Sequence, residues 1–364
     1  MTEVTKIALT GGPCGGKSTA MKFLEEELAK RGVEVFSVNE VATRLMNEGR
    51  TPENMGSYEF HRLLFSIQAK SERECTEKAQ GCSAERAVVL CDRGLLDNSV
   101  YVEREDFLKY SSEFGYDEER IRNSYSAVFH LTTAAKGAEN SYTLSNNSAR
   151  SEGTERAREL DDEILSAWVG TPHLRIIDNS TDFQGKLDRL LAETLAVLGI
   201  PEPYEIERKF LIEMPDLELL NRMPNCRRVP ITQAYFNTPN EGLFRVRKRG
   251  EHTFIKTKKT KISDIRRIEV ETELSSEDYE FYMALRMFIQ GVISKDRYCI
   301  ADNSTYYELD VYPFWNDKAT LEIELLSEDQ EYTLPEYVKV IREVTFEKDY
   351  RNKSMAIKYS DFFK

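Results

Sequence analysis

A glycine-rich stretch over residues 11–18 has residue types and spacing that suit phosphate binding. It matches the pattern G-x-x-x-x-G-K-[ST] in full. The glycines let successive backbone N–H groups turn towards phosphate oxygens, and the N-terminus of a following helix adds partial positive charge. We predict that Lys17 reaches the β- and γ-phosphates of a nucleoside triphosphate and that Ser18 holds Mg²⁺. The predicted nucleotide-binding residues of this stretch are Gly11, Gly12, Pro13, Cys14, Gly15, Gly16, Lys17, Ser18 and Thr19.

The surroundings of this stretch are those that a phosphate loop requires. An apolar segment over residues 6–10 precedes it and is typical of a buried strand. A helical pattern follows, with Met21, Leu24 and Leu28 on one face and Gly32 as its end. The alternative is a glycine-rich turn between a strand and a helix that binds no ligand. The complete pattern in this setting favours the phosphate loop.

Two further charged groups follow predicted strands. Asp92, Arg93 and Gly94 end the third apolar segment of the chain. An acid at the tip of a strand beside a phosphate loop orders Mg²⁺ through water, so Asp92 is predicted to be catalytic and Arg93 to bind nucleotide. Glu40 follows the second segment, where a carboxylate could deprotonate an acceptor hydroxyl. The alternative for Glu40 is an acid that interacts with a helix dipole.

The most polar segment of the chain, residues 136–158, is predicted to be a mobile loop or lid. Arginines on a closing lid neutralise charge on a transferring phosphoryl group. Arg150, Arg156 and Arg158 are the candidates for this role. The alternative is that they are solvated surface charges.

Length and composition limit the classes of protein to consider. A chain of 364 residues predicts two domains, and a net charge of -13 argues against nucleic-acid binding. We expect no transmembrane segment because no apolar run approaches the roughly 20 residues that span a bilayer. The chain enters its first strand almost at once, which leaves no room for a signal peptide, and its six cysteines lack paired spacing. These features predict a cytoplasmic protein with free thiols.

The first part of the chain alternates apolar strand candidates with helical stretches. This alternation predicts a parallel sheet covered by helices, hence an α/β domain. A helical pattern over residues 183–198 stops at Gly199, and Pro201 and Pro203 then form a stiff linker. We place the domains at residues 1–200 and 201–364. The predicted strands cover residues 7–10, 33–38, 87–92, 127–131 and 174–177.

After the linker, charged and apolar residues alternate with a period of two, which predicts strands with one charged and one apolar face. The bland interpretation is an antiparallel sheet with a salt-bridged outer face. However, the two charged residues of each pair have the same sign, so that acidic and basic residues are separated by strand. If the charged faces point into a closed β-barrel, carboxylate pairs suit Mg²⁺ or Mn²⁺ and basic pairs suit phosphates. The pairs are Glu205/Glu207, Glu269/Glu271, Glu322/Glu324, Arg245/Arg247, Lys256/Lys258 and Lys295/Arg297.

The first domain resembles the nucleoside- and nucleotide-kinase branch of phosphate-loop proteins, including the nicotinamide-riboside-kinase type. The matching features are residues 11–18, Glu40, the Asp92–Gly94 segment with Asp97, and the arginine-bearing polar stretch. The N-K-x-D motif that reads guanine in small GTPases does not occur. The choice between ATP and GTP therefore stays open.

The second domain resembles the CYTH domains, or triphosphate tunnel metalloenzymes, over residues 204–358. Its opening segment 205–210 fits their E-x-E-x-K signature, and the later pairs follow in the same order, ending with Tyr350-Arg351-Asn352. The resemblance implies an antiparallel β-barrel tunnel in which one metal ion orients a triphosphate and a second activates water. It implies that Glu207 and Lys209 are catalytic. The implied metal ligands are Glu205, Glu207, Glu269, Glu271, Asp310, Glu322 and Glu324, and the implied phosphate-binding residues are Lys209, Arg245, Arg247, Lys256, Lys258, Lys295 and Arg297.

The combination of the two domains resembles plant-type uridine-kinase-like/CYTH fusions and, more closely, the family of the TRPL-translocation-defect protein, which binds GTP and phospholipids. Segments 129–132, 137–139 and 177–179 carry the second likeness.

Three functional hypotheses follow. One is a tripolyphosphate hydrolase coupled to a domain that binds Mg-ATP or Mg-GTP. Another is a nucleotide-regulated adaptor that binds anionic phospholipid headgroups at the membrane periphery. The third is a small-molecule kinase with a CYTH sensor.

Overall fold

The computed structural model describes residues 2–139, 153–200, 206–261, 267–327 and 329–360. The chain divides into two compact units, Met1–Thr194 and Leu195–Lys364. Each unit has a sheet of its own.

The first unit is built on a five-stranded parallel sheet with the order β2-β3-β1-β4-β5. The central strand β1 therefore lies between β3 and β4, and ligands of open α/β sheets bind outside the carboxyl ends of strands at such a change of direction. The predicted parallel α/β architecture is confirmed. The strands are β1 (Glu3–Thr10), β2 (Glu34–Val38), β3 (Arg86–Asp92), β4 (Ala127–Leu131) and β5 (Leu174–Ile177).

Amphipathic helices accompany this sheet. In the first helix the buried side chains include Met21, Leu24 and Leu28, the face that the sequence predicts. The helices described in this unit are α1 (Lys17–Ala29), α2 (Val41–Asn47), α3 (Pro52–Met55), α4 (Ser57–Gln80), α5 (Arg104–Glu113), α6 (Glu118–Asn123), α7 (Thr154–Trp168) and α8 (Phe183–Val197).

The predicted loop over residues 136–158 needs a correction at its end. Arg156 and Arg158 lie on α7 because apolar residues at helical spacing, beginning with Ala157 and Leu160, are buried along that helix. The run of polar residues at the start of α7 concealed this periodicity. Arg150 lies outside the described residues.

The second unit is built on a nine-stranded antiparallel sheet with the order β10-β9-β8-β7-β11-β12-β13-β6-β14. Seven of these strands overlap with or contain alternating runs that the sequence predicts, whereas β7 and β14 were not predicted. The predicted runs cover residues 205–210, 243–247, 254–258, 267–271, 295–298, 307–311 and 321–325. The strands are β6 (Ile206–Glu213), β7 (Cys226–Thr238), β8 (Gly242–Arg249), β9 (Thr253–Lys261), β10 (Arg267–Glu273), β11 (Ile289–Asp302), β12 (Thr305–Val311), β13 (Lys318–Leu325) and β14 (Val340–Glu343).

The two faces of this sheet differ in chemistry. One face carries apolar clusters that include Phe210, Leu321, Phe244 and Val246. Because side chains alternate along a strand, the charged residues between them lie on the other side. We call this other side the charged face, and it carries Glu207, Lys209, Arg245, Arg247, Lys295, Arg297, Glu308, Asp310, Glu322 and Glu324.

The α-helices described in the second unit are α9 (Leu217–Arg222), α10 (Ser276–Ala284) and α11 (Asn352–Lys358). The last of them packs against Ile293 and Tyr312 at one end of the charged face. Asn352, the final residue of the motif series, accepts a hydrogen bond from Tyr312 Oη at 2.8 Å. Within the described ranges, every helix is too short or too polar to cross a bilayer.

Candidate functional site

The phosphate loop connects β1 to α1 and uses backbone conformations that favour glycine. Gly11 has a φ of +123° and Gly16 a φ of +86°. A Cβ at Gly11 would clash with the backbone oxygen of Leu131. Lys17 Nζ donates hydrogen bonds to the backbone oxygens of Gly11 and Gly12, both at 2.8 Å. Burial lowers the pKa of Lys17 to about 8.

Ser18 and Asp92 lie together at the start of α1 and the end of β3. Ser18 Oγ donates to Asp92 Oδ2 at 3.2 Å. Asp92 Oδ1 is buried and accepts no hydrogen bond from the described residues. Burial raises the pKa of Asp92. A hydroxyl and a carboxylate with a spare oxygen are the donors that Mg²⁺ prefers, so these residues fit that ion.

Arg93 is held in a left-handed backbone conformation, with a φ of +74°, directly after β3. Its Nε donates to Glu40 Oε1 at 2.9 Å, and its Nη1 lies 3.6 Å from Asp97 Oδ2. Gln68 Nε2 donates a hydrogen bond to the backbone oxygen of Arg93 at 3.0 Å. This anchoring of both backbone and guanidinium fixes a strained residue beside the phosphate loop.

Glu40 is strongly acidic in this arrangement. Burial opposes its ionisation, but the charge of Arg93 and hydrogen bonds from Thr43 and Arg93 outweigh burial and lower its pKa to about 2. A carboxylate with such a pKa is a weak base at neutral pH. In the structure Glu40 accepts hydrogen bonds from Thr43 and Arg93, and the second of these orients the Arg93 guanidinium.

The two described arginines of the predicted lid have different surroundings. Arg156 pairs along its own helix with Glu159 at 3.2 Å and Glu163 at 2.8 Å. Arg158 Nε instead donates to the backbone oxygen of Ala135 at 2.6 Å. The structure therefore brings Arg158 to the loop that follows β4, whereas Arg156 remains on the exposed surface of α7.

Two residues near the phosphate loop were missed by the sequence analysis. Asp161 on α7 accepts a hydrogen bond from the Gly12 N–H at 2.8 Å. Phe183, the first residue of α8, is 47% exposed, and a Cβ at Gly16 would lie 2.6 Å from its ring. An aromatic residue at the start of the helix that follows β5 was the available signal for Phe183. Asp161 gave none, because it lies 149 residues from Gly12.

A cleft of about 560 Å³ adjoins the loop. It lies between α1 and α2 and contains Ser18, Glu40 and Asp92 in its lining. Its size is that of a site for a small molecule. The other lining residues are Met21, Lys22, Glu25, Asn39, Thr43, Arg44, Asn47 and Glu48.

In the second unit, Glu207 and Glu324 form a cross-strand pair of like charge between β6 and β13. Like charges in directly opposite positions destabilise a sheet, and two carboxylates are suitable ligands for a hard divalent cation. Among the described residues, no set of three His, Cys, Asp or Glu side chains is gathered as a metal site. Glu205 lies outside the described residues.

A buried ion cluster lies next to this pair. Lys209 Nζ is 2.8 Å from Glu322 Oε1, and Arg297 Nη2 is 2.7 Å from Glu322 Oε2. Arg297 also donates to both oxygens of Asp310, at 2.7 and 2.8 Å, and Lys295 pairs with Asp310 as well. The predicted metal ligands Glu322 and Asp310 therefore pair with predicted phosphate-binding cations.

These contacts determine the ionisation of the cluster. Burial opposes the charge on Glu322, but Lys209 and Arg297 hold its pKa well below the usual range. Burial likewise opposes the charge on Lys209, but Glu322 raises its pKa. Lys295 behaves differently, because burial and the Arg297 charge lower its pKa to about 8.

Comparison with known proteins identifies the second unit. Residues 203–354 match the family model of the CYTH domain. An inorganic triphosphatase from Nitrosomonas europaea is 31% identical over an alignment of 166 residues, and the match covers 42% of this chain and 97% of that protein. The chain belongs to the CYTH family. Residues 6–186 match the model of an AAA domain, so the predicted order of a phosphate-loop domain followed by a CYTH domain is confirmed.

Two solved structures are also similar. A crystal structure of an inorganic triphosphatase is 29% identical, covers 42% of this chain and 94% of that chain, and has a TM-score of 0.29. A deoxyadenosine kinase from M. mycoides with bound dCTP is 16% identical, covers 53% of this chain and 100% of that chain, and has a TM-score of 0.36. The family assignment rests on the sequence matches.

The predicted phosphate-binding residues of β8 and β9 lie on both faces of the sheet, and Arg245 and Arg247 lie on the charged face. Arg245 Nη2 lies 3.2 Å from Thr257 Oγ1, and Arg247 Nη2 lies 3.0 Å from Glu271 Oε1. These residues continue the charged face onto β8, β9 and β10. The side chain of Glu269 lies outside the described part of β10.

Lys256 is not brought together with Arg245 and Arg247. The register of β8 and β9 sets Lys256 opposite Val246, on the apolar side of the sheet. Its Nζ donates to Tyr282 Oη at 2.9 Å and lies 4.5 Å from the centre of the Phe244 ring. Lys258, two residues further along β9, is exposed.

One further basic residue of the CYTH unit was missed. Arg249 is 4% exposed, and its Nη2 lies 3.9 Å from Cys299 Sγ. It continues the period-two spacing of Arg245 and Arg247, and that spacing is the signal that could have identified it.

Proposed function

We propose that the CYTH unit is a metal-dependent hydrolase of tripolyphosphate or a similar triphosphate, and that the first unit binds Mg-ATP or Mg-GTP. We place the two functional domains at residues 1–200 and 201–364. The observation that carries this proposal is the like-charge pair Glu207 and Glu324 on the same sheet face as Arg245 and Arg247. One end of this face suits a cation, while the other suits the phosphates that accompany it.

The residues of the charged face have two proposed roles, phosphate binding and metal binding. Arg245 and Arg247 would hold phosphate oxygens, since a guanidinium offers forked donors that match them. Glu207 and Glu324 would hold Mg²⁺ or Mn²⁺. When bound, such an ion polarises a phosphoryl oxygen and lowers the pKa of a coordinated water.

The buried ion cluster supports this site by fixing its geometry. Arg297 contacts Asp310 and Glu322 at once, and Glu322 in turn holds Lys209. The ammonium of Lys209 is thereby fixed one alternation away from Glu207 on β6. A preorganised cation beside the metal ligands would stabilise the charge that develops on the phosphate being cleaved.

In the first unit, Lys17, Ser18 and Asp92 would bind the phosphates and Mg²⁺ of the nucleotide. Arg93 would contact the same phosphates from the end of β3, held by Glu40. The exposed ring of Phe183 against Gly16 offers a surface on which either purine base can stack. Stacking of this kind is tolerant of base identity, which leaves ATP and GTP as alternatives.

The cleft favours a second candidate function for the first unit, phosphoryl transfer to a small acceptor. Its lining places the Ser18 and Asp92 pair next to open space of ligand size. Consumption of ATP or GTP that depends on an added nucleoside or nucleoside monophosphate would support this candidate. Equal consumption with and without each acceptor would contradict it.

The principal proposal is tested by phosphate release from tripolyphosphate with Mg²⁺, with Mn²⁺ and with a chelator. We expect wild-type activity only with metal and at least a hundredfold loss in Glu207→Gln, which removes a charged ligand. Glu218→Gln is the matched control because Glu218 is exposed on α9 and, among the described residues, forms its ion pair with Arg222 of the same helix. Equal activity of Glu207→Gln and Glu218→Gln would contradict the proposal.

A further inference from the structure

The carboxylate of Asp161 lies against the phosphate loop and is 1% exposed. Its Oδ1 accepts hydrogen bonds from the backbone N–H groups of Gly12 at 2.8 Å and Thr133 at 3.1 Å. His130 Nε2 lies 3.1 Å from the same oxygen, and Lys136 Nζ donates to Oδ2 at 3.0 Å. Groups from the phosphate loop, β4 and the loop after β4 therefore meet on one side chain.

The fit between Asp161 and Gly12 is close. A Cβ added at Gly12 would lie 2.9 Å from the Cβ of Asp161, so only glycine allows this approach. A bare carboxylate beside a phosphate loop would repel phosphate, but Lys136 offsets its charge. Burial opposes ionisation of Asp161, yet His130, Lys136 and the Gly12 N–H hold its pKa well below the usual range.

Helix α7, which carries Asp161, also contacts the segment that follows β3. Trp168, seven residues after Asp161, donates from Nε1 to Asp97 Oδ1 at 2.6 Å, and its ring covers Gly94. Asp97 is a partner of Arg93. Because residues seven apart lie on one helix face, α7 connects the beginning of the phosphate loop to the segment that carries Arg93.

We propose that Asp161 is a positioning residue for nucleotide binding, which holds the Gly12 N–H and thereby fixes the beginning of the phosphate loop relative to α7. This inference rests on the proposed nucleotide site. In this role Asp161 contacts the backbone N–H of Gly12 and not the nucleotide. It acts by keeping the loop amides in the arrangement that phosphate oxygens require, so that binding does not have to order them.

The test uses the full chain and measures the dissociation constants of Mg-ATP and Mg-GTP, with Lys17→Ala defining the component that belongs to the phosphate loop. Asp161→Ala removes the acceptor for Gly12 and is expected to weaken Lys17-dependent binding at least about tenfold, as for loss of a hydrogen bond to a charged group. Asp161→Asn keeps an acceptor oxygen, but its amide nitrogen faces the Lys136 ammonium, so weaker binding is expected here too.

Two further variants separate positioning from folding. Asp161→Asn combined with Lys136→Met removes the opposing ammonium, and we expect it to recover most of the affinity. Asp162→Asn is the matched control: Asp162 also pairs with Lys136, but its side chain is 69% exposed, and no hydrogen bond joins it to the phosphate loop within the described ranges. Its affinity should stay within about twofold of wild type, the range of an exposed ion pair.

The outcomes distinguish the inference from the proposal on which it rests. Lys17-dependent binding that is undiminished in Asp161→Ala, or a folded double variant that binds no better than Asp161→Asn, would overturn the role of Asp161 alone. Nucleotide binding that Lys17→Ala leaves unchanged in the otherwise wild-type chain would overturn the nucleotide site itself. Weak binding in both single variants with recovery in the double variant is the expected result.

Discussion

Glu207 on β6 and Glu324 on β13 occupy directly opposite positions in the sheet of the CYTH unit. Two acids in such a pair repel each other, and a sheet normally avoids this arrangement. A cation between the two carboxylates would convert the repulsion into attraction. Metal binding and the local stability of the sheet should therefore be linked.

This linkage predicts the thermal response of a Glu324→Gln variant. Mn²⁺ should raise the unfolding temperature of the wild-type CYTH unit, because a ligand that binds only the folded state stabilises it. The rise should be much smaller in Glu324→Gln, which lacks one of the two charged ligands. Differential scanning calorimetry with and without Mn²⁺ checks this, with Glu218→Gln as control. Equal shifts in all three proteins would exclude Glu324 as a ligand.

Arg297 should be essential for the stability of the CYTH unit. Its guanidinium contacts Asp310 and Glu322, so Arg297→Met would remove one cationic partner from each of two buried carboxylates. Breaking a buried pair in this way costs about 3–5 kcal/mol of the free energy of unfolding. Urea denaturation measures it. Arg228→Met removes an exposed pair with Asp296 and should cost at most about 1 kcal/mol.

A loss of stability in Arg297→Met no larger than that in Arg228→Met would show that the cluster contributes little. The ion cluster would then not be what holds Lys209 next to Glu207.

Lys17 predicts a pH dependence of nucleotide binding. The pKa of Lys17 in the free protein is about 8, lowered by burial, whereas phosphate oxygens favour the charged form. Below pH 8 the ammonium is present already, and above it binding must take up a proton. The affinity for Mg-ATP should therefore fall as pH rises from 8 to 9.5, by up to about tenfold per pH unit.

Titration calorimetry over this pH range measures the effect, and Lys17→Arg provides the comparison because its guanidinium stays charged. An affinity of the wild-type protein that is constant to pH 9.5 would contradict the lowered pKa.

Arg247 and Lys256 lie on opposite faces of the sheet, so their replacement should have different effects on catalysis. Arg247 is on the charged face, and its replacement by Met should raise the KM for tripolyphosphate at least tenfold, as expected for loss of a charge-assisted contact. Lys256 packs on Phe244 and Tyr282 on the other face. Lys256→Met should change the KM less than threefold and act mainly on stability. Steady-state kinetics of both variants checks this, and similar increases in KM would show that the two residues share one site.

Much of the architecture was predictable because it is encoded locally. The apolar run over residues 127–131 and the alternating residues 321–325 mark strands without reference to the rest of the chain. The phosphate loop is likewise a contiguous motif. Strand β7 was missed because it contains Pro230 and lacks the alternation of charges that marks its neighbours.

The contacts within the candidate sites depend on register and on long-range pairing, which a single sequence does not reveal. Four of the six residues in the segment 256–261 are lysines, so the sequence alone does not set which of them lie on the charged face. The pairing of Thr257 with Arg245 sets the register and places Lys256 on the apolar face. Asp161 meets Gly12 across 149 residues of sequence. The pairing of Arg297 with Glu322 likewise follows from the order of β11, β12 and β13.

The measurement that tests the central claim most directly is ³¹P NMR of tripolyphosphate with Mg²⁺ or Mn²⁺ in wild-type protein, Lys17→Ala and Glu207→Ala. If hydrolysis belongs to the CYTH unit, the wild type and Lys17→Ala produce pyrophosphate and phosphate at similar rates, and Glu207→Ala does not. Conversion by Glu207→Ala at the wild-type rate would contradict the account, because hydrolysis would then not depend on the CYTH carboxylates. No conversion by folded wild-type protein would also contradict it, and that result would favour a nucleotide-regulated module that binds anionic headgroups.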